Sequence, residues 1–140
     1  MGKTGLGRTM IYVVVSSEET MANLDHYREI SRRLALVEGL DDQEARALAA
    51  EGKAVVWIDV GIHASECAPA QHALELAYDL VTGEDAATKR IRAGTILLLV
   101  FANPDGMQMT ADWYAKNVGT PFEASPMPYL YNRYAGHDDN

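Results

Sequence analysis

One short stretch, Gly61-Ile62-His63-Ala64-Ser65-Glu66, holds the residues best suited to chemistry. It offers an imidazole and a carboxylate three residues apart, both borderline donors of the kind that bind zinc. An apolar run over residues 54–60 precedes it and a helical pattern follows. A strand end would therefore fix the pair, while the turn after it leaves room for a substrate. Two donors are one short of the three protein ligands that a catalytic zinc site uses. On spacing alone, the pair also reads as a polar loop histidine followed by a glutamate that favours a helix N-terminus.

The remaining candidates are weaker. Gly2-Lys3-Thr4 lacks the upstream strand and the earlier glycine of a phosphate-binding loop. His72 falls six positions beyond Glu66, which turns it away from the glutamate's face of the helix. His26 reads as a residue of a solvated helix face. Cys67 has no recognisable His and Asn/Asp partners and reads as a small buried filler; as the only cysteine it excludes an internal disulfide. Gly136-His137-Asp138-Asp139-Asn140 is rich in ligand-type groups and equally reads as a solvated tail.

The elements that must position these residues follow from the apolar pattern. Residues 10–15 are β-branched and aromatic and predict a buried strand. Asn23 or Asp25 caps a helix to about residue 36, with Tyr27, Ile30 and Leu34 on one face. Asp41-Asp42 opens a second helix over 43–51, which Gly52 stops. Residues 54–60 read as a strand covered on both faces. The helix after Glu66 carries Pro69 early and runs to about residue 81. A third short helix occupies 84–91, with Gly94 just past its end, and 95–101 form a second fully buried strand.

Strands separated by helices in this order indicate a layered α/β sheet with parallel neighbours. Ligands of such sheets bind outside the carboxyl ends of the strands. The His63 loop and the Asn103-Pro104-Asp105-Gly106 turn both lie at such ends, so they are expected to share one rim. Beyond Gly106, Trp113, Tyr114, Phe122, Tyr129, Tyr131 and Tyr134 are scattered among Pro121, Pro126 and Pro128, which reads as a long ordered loop.

Composition narrows the function classes. A length of 140 residues with 48% hydrophobic content suits one ordinary domain with a core. A net charge of -8 argues against a nucleic-acid partner, which needs a basic face. The apolar runs fall well below the roughly 18 residues of a membrane-spanning helix, so no membrane partner is expected.

Several segments, taken in order, resemble one known family. Residues 4–15 are similar to a lead-in of the form Gly-x-(Thr/Ser)-x-x-Gly-Arg followed by a strand. Gly61-Ile62-His63-Ala64-Ser65-Glu66 is similar to a Gly-Ile-His-(small/Arg)-x-Glu signature, and Asn103-Pro104-Asp105-Gly106 to the landmark turn after the next buried strand. Tyr134-Ala135-Gly136-His137-Asp138-Asp139-Asn140 is similar to a Gly-His-Asp-x-Asn-Arg-Asp stretch. These are the landmarks of the zinc metallocarboxypeptidases, the carboxypeptidase A-like peptidases, in their bacterial form.

The resemblance implies a carboxypeptidase-like, phosphorylase/hydrolase-like α/β fold, incomplete here, with a mixed, mostly parallel sheet flanked by helices. It implies zinc as cofactor and hydrolysis of C-terminal peptide bonds, with a peptide or amide bearing a free C-terminal carboxylate as substrate. His63 and Glu66 correspond to two of the three zinc ligands. Asp138 corresponds to the carboxylate that orients the ligand histidine, and Asn140 to the asparagine that helps grip the substrate's terminal carboxylate. The third ligand, the general-base glutamate and a capping tyrosine lie further downstream in the family. On that comparison residues 1–140 are the N-terminal half of a catalytic domain, inactive alone. Family members often supply an oxyanion-stabilising arginine between Gly106 and Asn132, a span that holds none here; Tyr114 falls near that place, with Lys116 and Arg133 as substitutes. A half sheet exposes an edge strand, from which self-association is expected. Two other readings accompany this one. The first is an amidohydrolase on the same scaffold, such as an N-acyl amino acid deacylase; the second is a non-catalytic binding module for which zinc is dispensable.

Overall fold

The computed structural model describes residues 1–37 and 39–132; Arg133, Asp138 and Asn140, named above, lie outside them. In chain order the elements are β1 (Tyr12–Val15), α1 (Glu18–Ala22), α2 (Leu24–Leu36), α3 (Asp42–Glu51), β2 (Ala54–Val60), α4 (Cys67–Thr82), α5 (Ala86–Gly94), β3 (Thr95–Phe101) and α6 (Pro104–Asn117). The strands form one mixed, partly parallel sheet in the order β1-β3-β2, and six helices flank it among the described residues. The fold class is α/β, as expected. β3 is the central strand, and its Leu99 is fully buried. β2 lies at an edge of the three, with Val55 51% and Trp57 57% exposed. The expectation that both its faces are covered therefore fails. Val55, Trp57 and Asp59 alternate onto one face of the strand and are exposed, whereas Val56, Ile58 and Val60 on the other face are not.

The chain divides into two compact units. One comprises Val14–Trp57 and Tyr78–Leu98, with Val15, Ile30, Leu80, Ile96 and Leu97 buried. Three of its helices, α1, α3 and α5, start on side-chain oxygens that accept first-turn N–H groups, whereas Asn23 precedes α2 without a side-chain cap bond, contrary to expectation. Ser17 Oγ accepts from Thr20 N at 3.2 Å, which starts the unanticipated α1. Asp41 Oδ1 accepts from Glu44 N at 2.8 Å. Asp85 Oδ1 accepts from Ala87 N and Thr88 N at 2.9 and 3.0 Å. That last cap places the start of α5 after the acidic pair Glu84-Asp85, and Gly94 becomes its final residue and not the one beyond it. Arg92 Nη1 donates to Leu80 O and Gly83 O at 2.7 and 2.8 Å, which satisfies carbonyls that the end of α4 leaves without helical partners.

The other unit comprises Met1–Val13, Ile58–Ala77 and the described residues from Leu99 onward, with Val60, Ala64, Ala73, Leu99 and Val100 buried. Here the sequence expectation needs its largest correction. Residues 104–117 are a helix, α6, and not the start of a long loop. Asn103 Oδ1 accepts from Gly106 N at 2.9 Å, and Pro104 takes the first helical position, where a missing N–H costs nothing. Residues 118–132 contain no helix or strand, and Trp113 holds part of them against α6. Its Nε1 donates to Ser125 O at 2.9 Å, and the Tyr129 ring meets it edge-on at 6.2 Å. No helix among the described residues is long and apolar enough to cross a membrane.

Candidate metal centre

The site begins with a glycine. β2 ends at Val60, and Gly61 follows with φ +70°, a left-handed conformation that L side chains rarely adopt. A Cβ there would also lie 2.7 Å from Met107 Sδ. The chain turns out of the strand at that point, and Glu66 N donates to His63 O at 3.0 Å to close a tight turn immediately before α4. The two donor residues therefore share one turn at the carboxyl end of β2. Ala102 N donates to Val60 O at 3.0 Å, so the carboxyl ends of β2 and β3 lie side by side. The shared rim expected of the His63 loop and residues 103–106 is present.

The start of α6 grips that turn. Asn103 Nδ2 donates to Ile62 O at 3.3 Å and to Asn132 Oδ1 at 2.6 Å. Gly106 is buried against the same loop, where a Cβ would lie 2.8 Å from Ala64 Cβ and 2.7 Å from Tyr131 O. The Tyr131 hydroxyl stands 3.4 Å from His63 Nδ1. On the far side, the Asp105 carboxylate accepts from Thr4 Oγ1 at 2.8 Å, Leu6 N at 3.0 Å and Arg8 Nη1 at 2.8 Å. Burial pushes the Asp105 carboxyl up, but the Arg8 and Thr4 hydrogen bonds, the Leu6 N–H and the Arg8 charge outweigh it, and its pKa is held below the ordinary aspartate value. The segment it ties down is a small hairpin, with Lys3 and Thr9 bridged and Gly7 N donating to Thr4 O at 3.0 Å.

A family model described as zinc carboxypeptidase matches residues 1–124. The chain belongs to the zinc carboxypeptidase family. The matched span runs from the N-terminal hairpin past α6 and takes in His63, Glu66 and Asn103-Pro104-Asp105-Gly106. Neither a curated protein nor a solved structure matches the chain. Membership places the chain among metallopeptidases in general terms.

In this zinc carboxypeptidase family member the donor chemistry suits part of a zinc site. His63 and Glu66 supply an imidazole and a carboxylate from one turn. No group of three or more His, Cys, Asp or Glu side chains that would hold a metal ion occurs among the described residues. Among the described residues the other two histidines stand elsewhere: His26 Nε2 lies 2.7 Å from Glu51 Oε1 on an exposed surface, and exposed His72 is 3.8 Å from Glu75. Cys67 is exposed, which corrects its reading as a buried filler; it opens α4, where its Sγ is 3.6 Å from Ser65 O. Beside the turn runs a groove of about 960 Å³, lined by Ala64, Ser65, Cys67, Met107, Trp113 and Tyr131 among others. Tyr114 also lines it, its hydroxyl 3.3 Å from Glu123, whereas Lys116 lies over the Trp113 ring. Sequence reasoning did not single out Tyr131, Asn132 or the link between Asp105 and the N-terminal hairpin. The two ends of that link are the lead-in and the turn motif, whose joint occurrence was the one available signal.

Proposed function

We propose that the chain contributes His63 and Glu66 as ligands of the zinc ion of a metallocarboxypeptidase that hydrolyses the C-terminal peptide bond of its substrate. The observation that carries this reading is the Glu66 N to His63 O bond of 3.0 Å, which folds the two donors into one turn at the carboxyl end of β2. When bound, zinc supplies a Lewis acid for the scissile carbonyl and a water of lowered pKa. The chain's own residues hold and orient. His63 must be neutral and Glu66 ionised to donate. In this proposal the Tyr131 hydroxyl, 3.4 Å from one ring nitrogen of His63, helps orient the imidazole. Asn140 takes part in binding the substrate's terminal carboxylate, and the groove beside the turn receives the peptide's apolar side chains.

Competition between the chain and a chromophoric chelator for zinc tests the ligand pair. His63→Ala and Glu66→Ala should each weaken zinc binding by at least about tenfold. Unchanged zinc binding in both variants would overturn the assignment.

A further inference from the structure

We propose that Asn103 is a positioning residue for His63, acting through the backbone of the turn as well as capping α6; this rests on the reading of His63 and Glu66 as zinc ligands. The chemistry of its neighbours fixes which way its amide points. Gly106 N–H can only donate, so Oδ1 faces it at 2.9 Å; Ile62 carbonyl can only accept, so Nδ2 faces it at 3.3 Å. Rotating the amide by half a turn would set a donor against a donor and an acceptor against an acceptor.

The accepting carbonyl is the informative one. Ile62 C=O belongs to the same planar peptide unit as the His63 N–H. A hydrogen bond to that oxygen restrains the plane from which the His63 side chain departs. The second proton of the same amide goes to Asn132 Oδ1 at 2.6 Å, beside Tyr131, whose hydroxyl meets His63 Nδ1. One NH2 group thus restrains the imidazole from its backbone and from the residue facing its ring. Gly106 makes this approach available, because a Cβ there would lie 2.6 Å from Asn103 Nδ2.

Two substitutions separate capping from positioning. Asn103→Asp and Asn103→Ser both keep an oxygen for the Gly106 N–H, since Asp, Ser and Asn cap about equally well. Asp loses both donors of the NH2 group, and Ser, with a shorter side chain and a single O–H, cannot replace the pair that reaches Ile62 O and Asn132 Oδ1. Asn103→Ala loses cap and donor together. Each is made in the full 140-residue chain and studied well below its melting temperature, with zinc alone as probe and with the His63 ring resonances of the zinc-free chain, assigned by their loss in His63→Ala. The Asp and Ser variants should retain wild-type helical content, bind zinc about tenfold to a hundredfold more weakly, and show displaced His63 ring resonances.

Folded Asp and Ser variants with wild-type zinc affinity and unmoved His63 resonances would overturn the proposal. Loss of fold in both would overturn it as well, because Asn103 would then serve the domain and not His63 in particular. Should His63→Ala bind zinc as tightly as wild type, the ligand assignment fails while the zinc-free resonances still decide the positioning role.

Discussion

Gly106 shows how much one hydrogen atom in place of a methyl group can carry. In an exposed helix interior, alanine in place of glycine stabilises by about 0.5–1 kcal/mol. Here the added Cβ would meet Asn103 Nδ2, Tyr131 O and Ala64 Cβ, all closer than 3.0 Å. Backbone oxygen and a buried alanine have little room to give, so overpacking outweighs propensity. Gly106→Ala should lower stability by about 1–3 kcal/mol in urea unfolding. A gain in stability would show that the contact is loose. The four letters of the motif are plain in the sequence, but the reason for the last one is not. Two of the three atoms that exclude a side chain belong to residues 64 and 131, distant in sequence and brought close only by the fold.

At the scale of elements, the N-terminal hairpin and the start of α6 are held together by one carboxylate. Asp105 and Arg8 side chains are 15% and 39% exposed, so solvent screens part of their attraction. Because the folded pKa lies below the ordinary value of about 3.9, the contribution of Asp105 is full above that pH and is lost as pH falls through the depressed value. Wild type should therefore exceed Asp105→Asn in urea midpoint at about pH 6, with the difference shrinking toward about pH 3. A difference that widens on acidification would contradict the tether. The limits of β2 and β3 were legible because Gly52 and Gly61 bound one apolar run and Gly94 and Asn103 the other. α6 was not. Its apolar residues serve two sides, Met107 toward Gly61 and Trp113 toward Ser125, so no single stripe marks the helix. The capping asparagine opens a motif with the residues of a turn, which describes only the helix's first residues.

For the molecule as a whole, the sheet edge sets the expected behaviour. β2 is an edge strand in the described sheet, with Val55 and Trp57 more than half exposed. Such an edge templates pairing with another chain. We expect the 140-residue chain to self-associate in light scattering, and more so at high salt, which screens the repulsion of its net charge of -8. Trp57→Lys should reduce the association; a monodisperse wild-type monomer at all salt concentrations would refute it. Of the candidate site, the donor pair and the shared rim could be read from the chain, since local spacing and strand ends determine them. The grip of residues 103, 131 and 132 on the His63 turn could not, since it depends on how α6 and the following loop fold back. That grip also bears on how the molecule ages. Asparagine converts slowly to aspartate when the backbone nitrogen of the next residue sheds its hydrogen and closes onto the side-chain amide. Asn103 is followed by Pro104, whose nitrogen has no hydrogen to shed. Asn23 and Asn117, followed by Leu24 and Val118, have no such shield. The donor that faces Ile62 is thus protected by its neighbour from the spontaneous reaction that would turn it into an acceptor.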